Sequence, residues 1–119
     1  MVGPIKEDAN MELPKKCEAC EGQVNPLTPK VVEDLLEQLP QWQTNDSHTQ
    51  IEKTFSFKGY YKTIAFVNAI AWFTQQQNHH PDLIVSYNKC TVKYQTHAIN
   101  GLSFNDFICA HEVEKLLSE

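Results

Sequence analysis

The segment from Phe57 to Asn78 constrains the fold most strongly, because it is a long run without proline that carries apolar residues at helical spacing. A helix that packs on one sheet face needs a single apolar stripe, whereas this segment has two. The two stripes consist of Phe66, Ile70 and Phe73, and of Tyr60, Ile64, Val67 and Ala71 with Trp72 beside them. We therefore expect a helix of about six turns, with one face in the core and the other covered by a second copy of the chain.

Strand-like segments occur in pairs on both sides of this helix. Ahead of it, a short strand near Trp42 and an alternating strand at 51–56 are separated by a polar turn and predict a hairpin. After it, the apolar runs 83–87 and 90–95 predict a second hairpin. Asn88-Lys89 would be its two-residue turn, since asparagine tolerates the positive φ of a type I′ turn.

Capping residues mark two further helices. Thr28 as N-cap and Pro29 in the first turn begin one helix, which we expect to end at Pro40. Ser103 and Asp106 resemble a capping box that begins a last helix, running to about Leu117. The predicted order is α-β-β-α-β-β-α, which is typical of an α+β domain. We expect one antiparallel four-stranded sheet with three helices packed on one face.

The N-terminal region differs from the rest of the chain. Residues 1–27 contain three prolines and no apolar periodicity, so they predict a flexible arm ahead of a domain at 28–119. The arm carries a CxxC pair, Cys17 and Cys20. It could contribute to a metal or redox site completed by a partner, but a structural zinc needs four ligands and no second pair exists. We favour a short tail motif with exposed thiols.

Composition and charge narrow the classes of partner. The chain has 119 residues, 41% of them apolar, and a formal net charge of -5 without a cluster of lysines or arginines. This argues against direct binding of nucleic acid or of an anionic membrane. There is no apolar run of membrane-spanning length and no secretory-type start. We expect a cytoplasmic protein with reduced thiols whose partner is a small molecule or another protein.

The pair His79-His80 directly before Pro81 is the main candidate for a functional site. If Asn88-Lys89 forms the turn, Leu83 lies opposite Tyr94, and the same count places His80 opposite His97. Directly opposed residues have Cβ atoms about 5 Å apart. His79 would lie at the helix end, near the same position. One histidine could simply interact with the helix dipole, but three rings brought together favour a site.

Three histidines allow two kinds of chemistry. Because imidazole titrates near neutrality, one ring can act as an acid while another acts as a base. Alternatively, three histidines could bind zinc with an open position. The sequential pair His79-His80 cannot place both rings on one face of a regular element, so we rank acid–base catalysis above a metal site. The sequence contains no P-loop, GxSxG or dinucleotide motif.

These motifs resemble a known family. The matching residues are Asn78-His79-His80-Pro81, Tyr87-Asn88-Lys89, Thr96-His97 and Gly101-Leu102-Ser103 with Asp106. They resemble the pterin-4a-carbinolamine dehydratases, and the likeness covers about residues 28–117. The arm with its CxxC is similar to that of the bacterial branch linked to phenylalanine hydroxylase. The resemblance implies dehydration of 4a-hydroxytetrahydropterin to quinonoid dihydropterin, which recycles the cofactor of aromatic amino acid hydroxylases. It implies a pterin as substrate and no metal or organic cofactor.

The resemblance also implies roles for particular residues. The family's catalytic histidines correspond to His79, His80 and His97, and its acidic residue at the start of the last helix corresponds to Asp106. We expect His79 and His80 to act as acids and His97 as base, with Asp106 orienting an imidazole. Alternatively, Asp106 only completes the helix cap with Ser103.

Three further residues are candidates for binding the pterin, namely Gln75, Asp82 and Thr96. Many relatives have glutamate at the position of Gln75, and many have tryptophan where Leu83 follows Asp82. The second apolar stripe of the long helix predicts a homo-oligomer, a dimer or a tetramer. Some members are dimerisation cofactors of a homeodomain transcription factor and use the long-helix surface, so a regulatory protein-binding module is the alternative function.

Overall fold

The computed structural model of the protein describes residues 25–117. The predicted arm falls almost entirely outside these residues, and so does its CxxC pair. At the start of the described chain, the Leu27 backbone N–H donates to the Leu102 carbonyl oxygen across 2.8 Å. This hydrogen bond holds the segment directly before the first helix against the rest of the domain.

The order of helices and strands confirms the α+β prediction. The elements are α1 (Pro29–Leu36), β1 (Gln43–Thr44), β2 (Ile51–Ser56), α2 (Tyr60–Gln77), β3 (Asp82–Val85), β4 (Lys89–Tyr94), a 3₁₀ turn (His97–Ile99) and α3 (Phe104–Leu116). The four strands form one sheet in the order β1-β2-β4-β3, and all neighbours are antiparallel. The hairpins lie on either side of α2 in the chain but come together in one sheet through β2 and β4.

The two faces of the sheet differ as the alternation predicts. Side chains on the inner face are almost completely buried: Ile51, Phe55, Cys90, Val92 and Tyr94. The outer face is mostly polar, apart from the exposed Ile84, and its centre contains a 2.7 Å hydrogen bond between the hydroxyls of Thr54 and Thr91. Burying one large apolar side chain stabilises the fold by about 1.5–3 kcal/mol, so the inner face fixes which side the helices cover.

The central helix α2 uses one of its two apolar stripes in the core. Phe66, Ile70 and Phe73 are at most 8% exposed, and Phe66 packs against the Phe55 ring at a centroid distance of 4.9 Å. The second stripe is only partly covered. Val67 packs against the core, whereas Tyr60 is 56% exposed and Trp72 beside the stripe is 68% exposed.

The first helix begins as predicted but ends earlier. Thr28 is the N-cap, and its side chain accepts a hydrogen bond from the Val31 backbone N–H. The helix ends at Leu36, and the chain then tightens into a turn in which Leu39 N–H donates to the Leu36 carbonyl oxygen. Leu39 is still buried. The helical spacing of apolar residues therefore extends beyond the helix itself. The prediction that the helix ends at Pro40 is wrong.

The register of the second hairpin differs from the prediction. Val85 pairs with Cys90 and Leu83 pairs with Val92, which moves the turn one residue towards the N-terminus, to Tyr87-Asn88. The shift in pairing is two residues, so each side chain keeps its face. The count now places His80 opposite Gln95, and strand β4 ends before it. The predicted pairing of His80 with His97 is wrong.

Contacts with the end of β2 and with the start of α2 accompany this register. The Asn88 carbonyl oxygen accepts a 2.8 Å hydrogen bond from Phe57 N–H, and the Tyr87 carbonyl oxygen accepts one from the Thr63 hydroxyl at 3.1 Å. The Tyr87 ring also stacks on Tyr60, with centroids 6.4 Å apart. Asn88 is not among the described non-glycine residues with positive φ. Tertiary contacts therefore override the local type I′ preference of asparagine.

Candidate active site

The end of α2 places the histidine pair. Asn78 adopts the left-handed conformation with φ of 54°, and its N–H donates to the Thr74 carbonyl oxygen at 2.9 Å. This is a common way to terminate a helix, and asparagine tolerates it better than most residues. Pro81 cannot continue the helix because it lacks an N–H. His79 and His80 therefore lie in a two-residue passage from α2 towards β3.

The loop after β4 places His97. Thr96 and Gly101 form an isolated antiparallel bridge, in which Thr96 N–H donates to the Gly101 carbonyl oxygen at 2.9 Å. The 3₁₀ turn that begins with the exposed His97 lies between them. A Cβ on Gly101 would lie 2.7 Å from Cβ of Pro26. Glycine is required at the base of this loop because the first described residues of the chain pack against it.

The carboxylate of Asp106 lies at the centre of the site. It is 0% exposed. Its Oδ2 accepts hydrogen bonds from the Thr96 hydroxyl at 2.7 Å and from the Ser103 backbone N–H at 3.0 Å. Its Oδ1 is 2.7 Å from Nε2 of His79. A buried carboxylate is stable only with such donors, and here the donors come from three separate segments of the chain.

His79 is held in two directions. Its Nε2 lies against Asp106, so an ionised carboxylate requires a proton on this nitrogen and leaves Nδ1 as the other ring nitrogen. One face of its ring stacks on Tyr94, with centroids 5.6 Å apart and planes 10° from parallel. The His79 side chain is 12% exposed. The ring is therefore mostly buried, with limited access from solvent.

The other predicted site residues have different surroundings. His80 and His97 are exposed, as are Gln75 in the last turn of α2 and Asp82 at the start of β3. Thr96 is 3% exposed. The structure thus joins His79, Thr96 and Asp106 in one hydrogen-bond network, and it leaves the two remaining histidines open to solvent.

Sequence reasoning found Asp106 as the residue that could orient an imidazole and as a cap of α3. The capping box of Ser103 and Asp106 is formed, so both interpretations describe the same carboxylate. Tyr94 was not recognised as part of the site. Its alternation in β4 identified it as a core residue, and no sequence pattern indicated that the buried ring would lie against His79.

Two other histidines lie elsewhere. Nε2 of His48, in the turn between β1 and β2, is 2.8 Å from Glu33 Oε2. His111 on α3 is 9% exposed, and burial lowers the pKa of its imidazole, with a smaller lowering by Lys115 and opposing influences from Glu114 and Glu112. Neither belongs to the network around Asp106.

Residues 25–117 show neither a metal-binding cluster nor a membrane-spanning helix. Within that range, no group of three or more His, Cys, Asp or Glu side chains is arranged to hold a metal ion. No helix there is both long and apolar enough to cross a membrane.

Together, the α+β fold and the buried histidine–carboxylate pair define a small domain with a candidate acid–base site. The family model for pterin 4 alpha carbinolamine dehydratase matches residues 25–116, and the chain belongs to this family. The resemblance in the sequence is therefore confirmed.

Relatives of known name agree with this assignment. A protein of Nitrosomonas eutropha that is named as a pterin-4-alpha-carbinolamine dehydratase is 58% identical over 104 residues, covering 87% of this chain and 90% of that protein. Among solved structures, a transcriptional coactivator/pterin dehydratase from Brucella melitensis superposes with a TM-score of 0.73 at 28% identity, covering 77% of this chain and 98% of that one.

A more distant structure shares only the fold. It is a pterin dehydratase-like protein described as a RuBisCO assembly factor in the alpha-carboxysome. It has a TM-score of 0.59 at 18% identity and covers 68% of this chain and 94% of its own. That likeness carries no argument about function. The family model and the named relatives show that this chain is a pterin dehydratase, a hydro-lyase.

Proposed function

We propose that the reaction of this hydro-lyase is the dehydration of 4a-hydroxytetrahydropterin to quinonoid dihydropterin. Family membership supports the reaction class. The observation that carries the proposal is the 2.7 Å contact between His79 Nε2 and the buried carboxylate of Asp106. A histidine held in this way is suited to giving a proton to a leaving group.

The reaction needs two proton transfers and no change in oxidation state. The bond between C4a and its hydroxyl oxygen breaks as that oxygen receives a proton and leaves as water. The N5–H proton is removed, and its electron pair forms the double bond between N5 and C4a. Each transfer, when performed by a positioned side chain, contributes about 10²- to 10⁴-fold to the rate. Because proton transfers alone balance the reaction, we propose that no metal or organic cofactor takes part.

In this proposal His79 delivers a proton to the 4a-hydroxyl. The Asp106 carboxylate stabilises the imidazolium form that an acid requires, and because it occupies Nε2, the proposed proton donor is Nδ1. His80, the next residue, assists as a second acid. His97, which is exposed on its 3₁₀ turn, acts as the base at N5.

Gln75 and Asp82 are the proposed pterin-binding residues. Both are exposed, one at the end of α2 and one at the start of β3, and they flank the histidine pair in the chain. An amide and a carboxylate can bond the donors and acceptors at a pterin edge. Thr96 was also predicted to bind substrate. Since its hydroxyl is bound to Asp106, we propose that its effect on binding is indirect.

The cellular role follows from the family. We propose that the protein is cytoplasmic, recycles the tetrahydropterin of an aromatic amino acid hydroxylase and works as a homo-oligomer. The apolar stripe of α2 around Tyr60 and Trp72 supports self-association, because large exposed aromatic surfaces are unusual on a monomer.

The same stripe favours a second candidate function, a module that binds another protein. The Brucella melitensis neighbour is described both as a transcriptional coactivator and as a pterin dehydratase. The two candidates use different residues here. Substitution of Trp72 would impair protein binding, whereas substitution of His79 would impair dehydration.

The test is the rate of dehydration of 4a-hydroxytetrahydropterin by the wild-type protein and by His79→Ala, His80→Ala and His97→Ala. We expect each variant to be at least about tenfold slower. His48→Ala is the matched control, since His48 bonds Glu33 away from the site, and it should retain the wild-type rate. Unchanged rates in all three site variants would refute the catalytic proposal.

A further inference from the structure

The hydrogens in the network around Asp106 can be assigned from the number of donors. A hydroxyl has one proton to donate. The Thr96 hydroxyl donates to Asp106 Oδ2 at 2.7 Å, and it is also 2.7 Å from the Ser103 hydroxyl. Because the Thr96 proton is already used, the Ser103 hydroxyl must donate to Thr96. A chain of hydroxyls therefore runs in one direction, from Ser103 through Thr96 to the carboxylate.

This direction has a consequence for His79. With the Oδ2 side occupied by the Thr96 hydroxyl and the Ser103 N–H, the carboxylate has its Oδ1 side available to the imidazole. Aligned hydrogen bonds of this kind strengthen one another in a buried environment. Thr96 and Ser103 therefore fix the plane of the Asp106 carboxylate. That plane sets where His79 Nε2 lies.

A hydrogen bond alone does not fix the plane of an imidazole ring, because the ring can rotate about the axis from Nε2 to its acceptor. The Tyr94 ring supplies the missing restraint. It is 0% exposed and lies parallel to His79 within 10° at 5.6 Å. Rotation of the imidazole would push it into the Tyr94 face or would break the stacking.

We propose that Tyr94 and Thr96 are positioning residues for His79, with Tyr94 fixing the ring plane and Thr96 fixing the carboxylate that holds Nε2. The kinetic part of this inference rests on the proposed dehydratase function. Neither residue touches the reacting atoms in this account. Their joint effect is to present Nδ1 in one orientation, and a small misplacement of a catalytic group can cost about 100-fold in rate.

The test compares a disruptive and a conservative variant at each position. Thr96→Val removes the hydroxyl at similar volume, and Thr96→Ser restores it. Tyr94→Leu removes the aromatic face, and Tyr94→Phe restores it. We expect the kcat of Thr96→Val and of Tyr94→Leu to fall about tenfold or more while KM changes less. The serine and phenylalanine variants should recover most of that loss.

A spectroscopic measurement separates positioning from stability and from activity. Proton–nitrogen NMR correlations of the His79 ring report which nitrogen carries the proton. In the wild-type protein the neutral ring should be protonated at Nε2, and in Thr96→Val and Tyr94→Leu we expect a mixture of both tautomers. This result does not depend on the substrate, so an inactive wild-type protein would refute the proposed function while the tautomer data still test the positioning.

Two controls account for general damage to the domain. Thr54→Val breaks the hydroxyl pair with Thr91 on the outer sheet face, and Phe55→Leu removes another buried aromatic ring. Both should leave kcat and the His79 tautomer unchanged, even where stability falls. If Thr96→Val and Tyr94→Leu keep the wild-type kcat and the single tautomer, or if the controls alter them equally, the inference is wrong.

Discussion

His79 and Asp106 are 27 residues apart in the chain, yet they share a hydrogen bond of 2.7 Å between the end of α2 and the first turn of α3. The contact joins the C-terminal end of α2 to the N-terminal end of α3. Asp106 also caps α3 through the Ser103 N–H. One buried carboxylate therefore serves both the start of a helix and the orientation of the candidate catalytic ring.

Glu114 holds the end of α3 against the first hairpin. Its Oε2 accepts from Lys53 Nζ at 2.6 Å and from Trp42 Nε1 at 2.8 Å, and the charged side chains are at most 15% exposed. We expect Glu114→Gln to lower the free energy of unfolding by about 1–3 kcal/mol, since both donors lose a charged acceptor. Urea denaturation measures this change.

The matched control for that change is Asp34→Asn. Asp34 pairs with Lys30 at 3.6 Å on the surface of α1, where the lysine is 85% exposed. Surface pairs of this kind contribute at most about 1 kcal/mol. Equal losses of stability in the two variants would show that Glu114 has no special structural role.

His111 should make stability depend on pH. Burial lowers the pKa of its imidazole below the ordinary value of 6.5, with a further lowering by Lys115 and opposing effects of Glu114 and Glu112. The unfolded chain therefore takes up this proton at a higher pH than the folded chain does. The contribution of the neutral ring is complete above 6.5 and is lost as the pH falls below it.

We therefore expect the wild-type protein to lose more stability than His111→Gln when unfolding is measured at about pH 8 and again at about pH 5.5. The loss of stability in the wild-type protein should exceed the loss in His111→Gln by more and more as the pH falls. A wild-type protein that gains stability relative to the variant over this interval would contradict the direction of the shift.

Gly101 should not tolerate a side chain. A Cβ at this position would lie 2.7 Å from Pro26 Cβ, which requires the chain ahead of α1 to move. We expect Gly101→Ala to cost about 1–3 kcal/mol of stability, as overpacking generally does. Gly59→Ala is the control, because its new Cβ would approach only the Tyr87 hydroxyl, at 3.8 Å. Thermal unfolding of both variants would decide the matter, and an unaffected Gly101→Ala would refute the steric argument.

The exposed face of α2 should mediate self-association. Trp72 is 68% exposed, and a charge there should oppose burial in an interface. We expect the wild-type protein to be larger than a monomer in light-scattering measurements and Trp72→Glu to shift towards the monomer. Leu117→Glu, at the end of the described chain and 45% exposed, should not shift it. A wild-type monomer at high concentration would contradict the proposal.

Element types could be predicted because local patterns decide them. The Thr28-Pro29 start, the alternation in β2 and the proline-free run of α2 each correspond to an observed element. Hairpin register was predicted wrongly, because it depends on hydrogen bonds from Phe57 and Thr63 to the turn. The Thr63 contact exists only once α2 packs beside the hairpin, and the Phe57 contact exists only once β2 pairs with β4.

The candidate site, like the fold, could be predicted from the sequence only in part. The histidine motif predicted His79 as a site residue and the family resemblance predicted Asp106, but the predicted opposed pair of histidines was incorrect. The actual link is a carboxylate buried between helix ends. The stacked ring of Tyr94 could not be foreseen, since sequence alternation predicts burial but not the neighbour that a buried ring meets.

The most direct test of the account is a double-mutant cycle on dehydration of 4a-hydroxytetrahydropterin, using His79→Ala, Asp106→Asn and the double variant. If Asp106 acts through His79, each single substitution should lower kcat by about 10²-fold or more, and the double variant should be scarcely slower than His79→Ala alone. If the two losses instead multiply in the double variant, His79 and Asp106 act independently. In that case the hydrogen-bonded pair does not deliver the proton as a unit.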